Sequence, residues 1–187
     1  MDAPRLEHLD EIAAAVWREL ALAAQTRGHA WRVAVLATRE GDGVDARSVV
    51  LREVDAAARE LIVFTDARSP KAQHVLAQPE GMLVMWSESL GWQLRLRVAL
   101  ELHTEGLAVS SRWARLKMTP AAHDYLSPLP PGSTLAAPLP MTAPQRESRD
   151  HFAVIAAQVQ RIDWLELDAR GHRRAVFDSA GPRWVAP

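Results

Sequence analysis

Cysteine is absent from this 187-residue chain, tyrosine occurs once and phenylalanine three times. Without a thiol there is no disulfide, no thiolate metal site and no cysteine nucleophile, a composition compatible with a reducing compartment. An excess of charge of one sign is also lacking. Acids and bases nearly cancel to a formal net charge of −1, which argues against partners chosen by bulk charge, nucleic acid first among them. No apolar run approaches the roughly 20 residues of a membrane span. The N-terminal "MDAPRLEHLDEIAAAVW" mixes acids with its bases and has no apolar core ahead of a small-residue cleavage signal. The expected home is the cytoplasm, with neither secretion nor membrane insertion. The nine glycines form no dinucleotide fingerprint or phosphate-binding loop, and no His-Glu-x-x-His helix or Gly-x-Ser-x-Gly elbow occurs. Seven histidines are scattered singly, so no metal site is expected.

What is present is an apolar fraction of 48%, enough for one core, and residues 1–187 read as a single domain. Ile12, Ala13, Val16, Trp17, Leu20 and Ala24 recur at helical spacing, predicting an amphipathic helix from Leu9 to Gln25, within about residues 8–27, with Gly28 beyond its end. "WRVAVLATRE" and "VDARSVVLREV" flank a "GDG" turn and read as a hairpin, and "ELIVFTD" as a third strand. Ser69 and Pro70 open a short helix that Pro79 and Gly81 end. "MLVMWS" and "WQLRLRVALELH" are further strands; on the second, Leu94 and Leu96 face one way and Gln93, Arg95 and Arg97 the other. A helical region from Leu107 to Leu126, interrupted at Pro120, precedes a Pro-rich loop over about residues 127–145. "ESRDHFAVIAAQVQ" reads as a helix, and "RIDWLELDARGHRRAVFD" as a hairpin turning at Arg170 and Gly171. A helix, four to six antiparallel strands with short helices between them, then a helix and a hairpin, point to an α+β protein built around an antiparallel β-barrel.

"RSVVLR", residues 47–52, places a cation at each end of an apolar strand. Alternation sends Arg47, Val49 and Leu51 to one face and Ser48, Val50 and Arg52 to the other unless a bulge intervenes, so the two arginines serve different surroundings. Both also read as strand-end cations reaching water. The next 45 residues add a hydroxyl at Thr65, a serine and a lysine at a helix start (Ser69, Lys71) and an amide on a strand (Gln93). Arginine forks onto phosphate oxygens, hydroxyls add neutral donors, and a helix N-terminus presents free N–H groups, a set able to cradle a phosphate without a glycine loop.

From Arg47 to about Glu101 this order resembles the flavin mononucleotide (FMN) core of the pyridoxamine 5′-phosphate oxidase family. The motifs are Arg47 to Arg52, Phe64-Thr65, Ser69-Pro70-Lys71 and Trp92-Gln93-Leu94-Arg95, with a similar closing hairpin ending in "RWVAP". The resemblance implies an FMN-binding split barrel. Arg47, Thr65, Ser69 and Lys71 would surround the phosphate and ribityl chain, and the backbone from Val49 through Val50 to Leu51, following Ser48, would lie along the ring beside Phe64. Gln93 would reach the flavin from a second subunit of a homodimer, Trp164 would lie near the cofactor, and Arg52 would face the substrate. Taken singly, Phe64 and Trp164 read as core, Gln93 as an exposed strand residue and Lys71 as a surface lysine.

Departures from the family pattern concern the substrate more than the cofactor. Pro70 replaces a cation, Arg52 replaces lysine, and "GHRRAVF" puts His172 and Arg174 at substrate positions with Val176 where the family has a flavin arginine. The family's motif for the vitamin's phosphate has no clear counterpart, and Trp113, Arg115, His123 and Tyr125 either line another pocket or form an amphipathic helical surface. The expected activity is an FMN-dependent oxidoreductase exchanging hydride between flavin N5 and a small-molecule substrate other than pyridoxamine phosphate, with no protein residue named as catalytic. The alternatives are a flavin carrier or sensor without turnover, and a related barrel holding haem or a deazaflavin.

Overall fold

Residues 5–138 and 149–187 are described by the structure, a computed structural model. Helix α1 runs Leu9–Gln25 and buries Ile12, Val16 and Leu20 of the predicted stripe, together with Ala15 and Ala23, against the main core, while Ala13, Trp17 and Ala24 are partly buried beside them. Strands β1 (Val33–Glu40) and β2 (Gly43–Asp55) form the expected hairpin, with Glu40 opposite Gly43. Gly41 in that turn has φ 55°, a left-handed conformation that strains any residue with a β-carbon. β3 (Glu60–Asp66), α2 (Pro70–Ala77), β4 (Glu80–Ser87) and β5 (Trp92–His103) follow as the sequence predicts. α3 (Leu107–Leu116) and a 3-10 turn at Pro120–Tyr125 occupy the helical region, split near Pro120.

One element differs from expectation. The segment read as a helix beginning at Glu147 is strand β6 (Phe152–Glu166), which pairs with β3 on one side and β5 on the other. From Phe152 to Ala157 it is buried on both faces: Ile155 and Ala157 enter the main core, while Phe152, Val154 and Ala156 join a second cluster under α3. Such a strand has no polar face, so its apolar run carries no period of two. β7 (Arg173–Asp178) is the second arm of the expected closing hairpin, and β8 (Gly181–Val185) adds a strand beyond it to complete an eight-stranded sheet.

The strand order is β3-β2-β1-β4-β5-β6-β7-β8, and the β3–β6 pairing closes six strands into an antiparallel barrel. Two one-residue slips shape it. On β2, Leu51 pairs with Val63 but Glu53 with Ile62, leaving Arg52 as the extra residue. On β6, Val159 pairs with Val98 but Arg161 with Arg97, leaving Gln160 extra. Inward positions on β6 therefore shift from Ile155, Ala157 and Val159 to Ile162 and Trp164. The Pro-rich segment has neither helix nor strand over residues 127–138; the remainder of that expected loop, like Glu147 and Ser148, lies outside the described residues. Among the described residues no helix is long and apolar enough to cross a membrane.

Candidate functional site

At one end of the barrel, β1, β2, β3 and the start of α2 bring the first group of residues together. Arg47 shares the inward face of β2 with the buried Val49 and Leu51 but lies beyond them. Its guanidinium donates to the Leu36 carbonyl (3.0 Å) and the Thr38 hydroxyl (2.8 Å), pairs with Asp45, and lies 3.4 Å from His74 Nδ1. Lys71 Nζ donates to Thr65 Oγ1 at 3.2 Å, and the Thr65 and Ser69 hydroxyls, both fully buried, are 3.0 Å apart. Ser69 stands at the helix N-cap position as predicted, yet its hydroxyl makes no capping bond and turns to Thr65 instead. Burial pushes the Lys71 ammonium below its usual pKa, and the Arg47 charge pushes it further, against opposing pulls from Asp66 and Asp45. The Arg47 hydrogen bond holds the Asp45 carboxyl below its own usual value.

Thr38, Asp45 and His74 belong to this surround and escaped the sequence reading. A two-residue turn at residues 41 and 42 fixes Thr38 opposite Asp45 and Leu36 opposite Arg47, and His74 lies one helical turn after Lys71. Hairpin register was the signal available for the first two. Glu40, Asp45 and His74 bring ligand-type atoms within 4.8 Å of one another, but the guanidinium of Arg47 already sits on Asp45.

Arg52 has a different setting, as alternation predicts. Extra on the bulge, it donates to the Tyr125 hydroxyl (3.2 Å) and lies over the Phe64 ring at 5.6 Å, while its Nε is buried without a hydrogen-bond partner. Tyr125 and Trp113 are buried in the second core cluster, so the expected helical surface is in part core. Burial pushes the Tyr125 hydroxyl above its usual pKa. Arg115 instead pairs with Glu53 at 2.9 Å. Of the other "RSVVLR" residues, Ser48 is exposed, Val50 half-buried, and Val49 and Leu51 buried in the core.

The remaining expected residues lie elsewhere. Gln93 is on the outward face of β5, opposite Leu165, which in turn faces Arg174 on β7. Arg174 forks onto Asp163 (2.9 and 2.8 Å), which also accepts from Arg95 at 2.5 Å. His172 is exposed and accepts the Asp168 backbone N–H at 3.3 Å within its own turn. Trp164 is fully buried, edge-on to Trp92 at 5.4 Å, with its Nε1 unpartnered, and Val176 is fully buried. No described hydrogen bond or ion pair joins the Arg47–Lys71 group to Gln93 or Arg174 within one chain.

A protein from Granulibacter bethesdensis named pyridoxine/pyridoxamine 5′-phosphate oxidase is 30% identical over 164 residues, covering 80% of this chain and 76% of that one. No family model matches the chain. Among solved structures, a pyridoxamine 5′-phosphate oxidase-related, FMN binding protein from Nostoc punctiforme superposes with a TM-score of 0.70 at 20% identity, covering 93% of this chain and 96% of that one. PhzG from Burkholderia lata 383, in complex with tetrahydrophenazine-1-carboxylic acid, superposes with a TM-score of 0.73 at 16% identity, covering 98% of each. At those identities the two structures establish the fold.

Proposed function

Because the chain belongs to the pyridoxine/pyridoxamine 5′-phosphate oxidase family, we propose that it is an FMN-dependent oxidoreductase acting on a small molecule other than pyridoxamine phosphate. The observation that carries this reading is the convergence of Arg47, Thr65, Ser69 and Lys71 at one barrel end. Their chemistry fits a phosphate ester: two cations, two buried hydroxyls, and an ammonium whose hydrogen bond among the described residues goes to a hydroxyl rather than a carboxylate. When bound, FMN supplies hydride exchange at N5. Lys71 and Arg47 would hold the phosphate, with Arg47 released from Asp45, and Arg52 would meet an anionic part of the substrate beside Tyr125. A substrate other than the vitamin is favoured by His172, at an expected substrate position but turned into its own loop.

A homodimer completes the proposal. Val35 pairs with Val84 and Ala37 with Met82 on the outward face of the sheet, and Val33, Val35, Met82 and Trp86 on that face are exposed. Gln93 lies opposite Trp86 at the edge of this patch, so a second copy covering it would bring Gln93 toward the other chain's flavin. Absorption spectroscopy and mass identification of the molecule that copurifies test the reading. A yellow protein releasing FMN on denaturation is expected. A colourless protein that takes up no added FMN, or one with a haem spectrum, overturns it.

A further inference from the structure

We infer that the groove beneath the first turns of α1 is a binding site for a small monocarboxylic acid with an apolar body. The groove holds about 180 Å³ where α1 passes the β2–β3 turn and the sheet strands β6, β7 and β8. Its walls are apolar. Ile162, Phe177 and Pro182 stand opposite one another in a row across the three strands, and Ala13 and Trp17 close the row from α1. Set among them is one cation, Arg59, the last residue of the turn between β2 and β3. Ile162 and Phe177 face the main core, so the groove lies on the other side of the sheet from Val33, Val35, Met82 and Trp86, and a partner seated on that patch leaves it open.

Arg59 carries two costs that nothing within the chain answers. With φ at 54° it is the one residue other than glycine with positive φ among the described residues, a left-handed conformation that glycine adopts freely and a residue with a β-carbon does not. Hydrogen bonds pin the backbone there: the Arg59 N–H donates to the Ala56 carbonyl at 3.3 Å, and the Arg59 carbonyl accepts from Val159 at 2.9 Å. Its guanidinium buries Nε and Nη2 without a hydrogen-bond partner and forms no ion pair among the described residues, which leaves Nη1 as the open nitrogen. Buried donors without acceptors are rare in a native fold and mark a place for a partner from outside the chain. Two acids also line the groove. Asp178 is already forked by Arg183 at 2.7 Å and lies 3.9 Å from Arg161, and Asp10 is exposed in the first turn of α1, where the helix dipole favours it. Their charge disfavours a ligand with a second negative group. One carboxylate can accept N–H bonds from Arg59 while its apolar remainder rests on Trp17 and Phe177. A groove of this size admits a single ring or a short chain and no polymer.

The inference goes beyond the flavin reading and does not depend on it, since the groove shares no residue with the Arg47–Lys71 group. Calorimetric titration at neutral pH with benzoate and, separately, hexanoate tests it, with benzamide and hexanamide as uncharged counterparts. The wild-type chain is expected to bind at least one acid saturably, benzoate alone indicating a ring and hexanoate alone a chain, and to bind the matching amide about tenfold more weakly or worse. Arg59→Gly should weaken acid binding by about tenfold or more while holding the melting temperature at or above that of wild type, because glycine relieves the left-handed backbone and removes the unpartnered donors. Ala13→Leu keeps Arg59 and grows a larger side chain into the groove, so it should lose binding too, and it gives the same reading should Arg59→Gly fail to fold. An Arg47→Ala/Lys71→Ala variant should bind the acid as wild type does. No saturable binding of either acid, equal binding of acid and amide, or undiminished binding by Arg59→Gly with a native circular dichroism spectrum overturns the site. Failure of FMN to bind would sink the flavin reading and leave this result standing.

Discussion

Two regions of the molecule gather arginine or lysine, and they hold the charge in opposite ways. At the barrel end, Arg47 is bonded to a carbonyl, a hydroxyl and a carboxylate, and Lys71 to a buried hydroxyl, so each cation has a fixed direction before any ligand arrives. On the outer face, one buried carboxylate serves two guanidiniums while Arg97 and Arg161 stand opposite each other, partly solvated. The first arrangement is pre-organised and limits ordering cost on binding; the second stores unbalanced charge. Geometry therefore governs the barrel end and electrostatic excess the outer face.

The comparison breaks most readily at the barrel end. Arg47→Ala and Lys71→Ala are each expected to cost about 1.5–3 kcal/mol of FMN affinity, the range for a hydrogen bond to a charged group. Fluorescence titration measures this. Unchanged affinity in both variants would remove the two cations from the phosphate site.

Next in size is Asp163. Burial pushes its carboxyl up, but hydrogen bonds from Arg174 and Arg95 outweigh burial and hold it below the usual carboxylate range. The stability it contributes is present above the unfolded pKa of about 3.9 and is lost as pH falls through the lower folded value. Asp163→Asn should destabilise the fold by about 1.5–3 kcal/mol at neutral pH. Thermal melts should then show the gap to wild type narrowing on acidification below about pH 4. A gap that widens would reverse the assignment.

Smaller effects sharpen the contrast. Because burial and Arg47 depress Lys71, FMN affinity should fall on the alkaline side before the ordinary lysine value of about 10.4, and Lys71→Arg should flatten that limb. A limb unchanged by Lys71→Arg would assign it to another group. The smallest change is Asp45→Asn, which frees Arg47 from a competing carboxylate and should tighten FMN binding modestly. Weaker binding would mean that Asp45 orients Arg47 rather than competing for it.

Much of this was legible in the sequence, for physical reasons that also mark where reading stopped. α1 and strands β1, β2, β4 and β5 alternate or repeat cleanly because each buries one face and leaves the other open, and the pairing of Thr65 with Ser69 and Lys71 follows from a strand end feeding a helix start. β6 was misread because it is covered on both sides and changes inward parity at a bulge, neither of which leaves a period in the residues. The outer-face arginine cluster was hidden for the same reason. Arg95 and Arg97 were visible as an outward pair, but Arg161 and Asp163 join them only once β6 is a strand with an extra residue. Tyr125 reaches Arg52 through a 3-10 turn whose packing nothing local specifies.

Gln160 makes no conspicuous contact, yet the handedness of everything downstream depends on it. Were it drawn into the ladder instead of standing outside it, β6 would alternate without interruption and each later side chain on the strand would trade sides. Trp164 would swing into water and Arg161 with Asp163 into the hydrocarbon interior. The chain should thus accept almost any replacement at position 160, and its deletion too, which keeps every later residue on its present face, but refuse one more residue inserted beside it, an asymmetry that a paired library of single-codon deletions and insertions would expose at once.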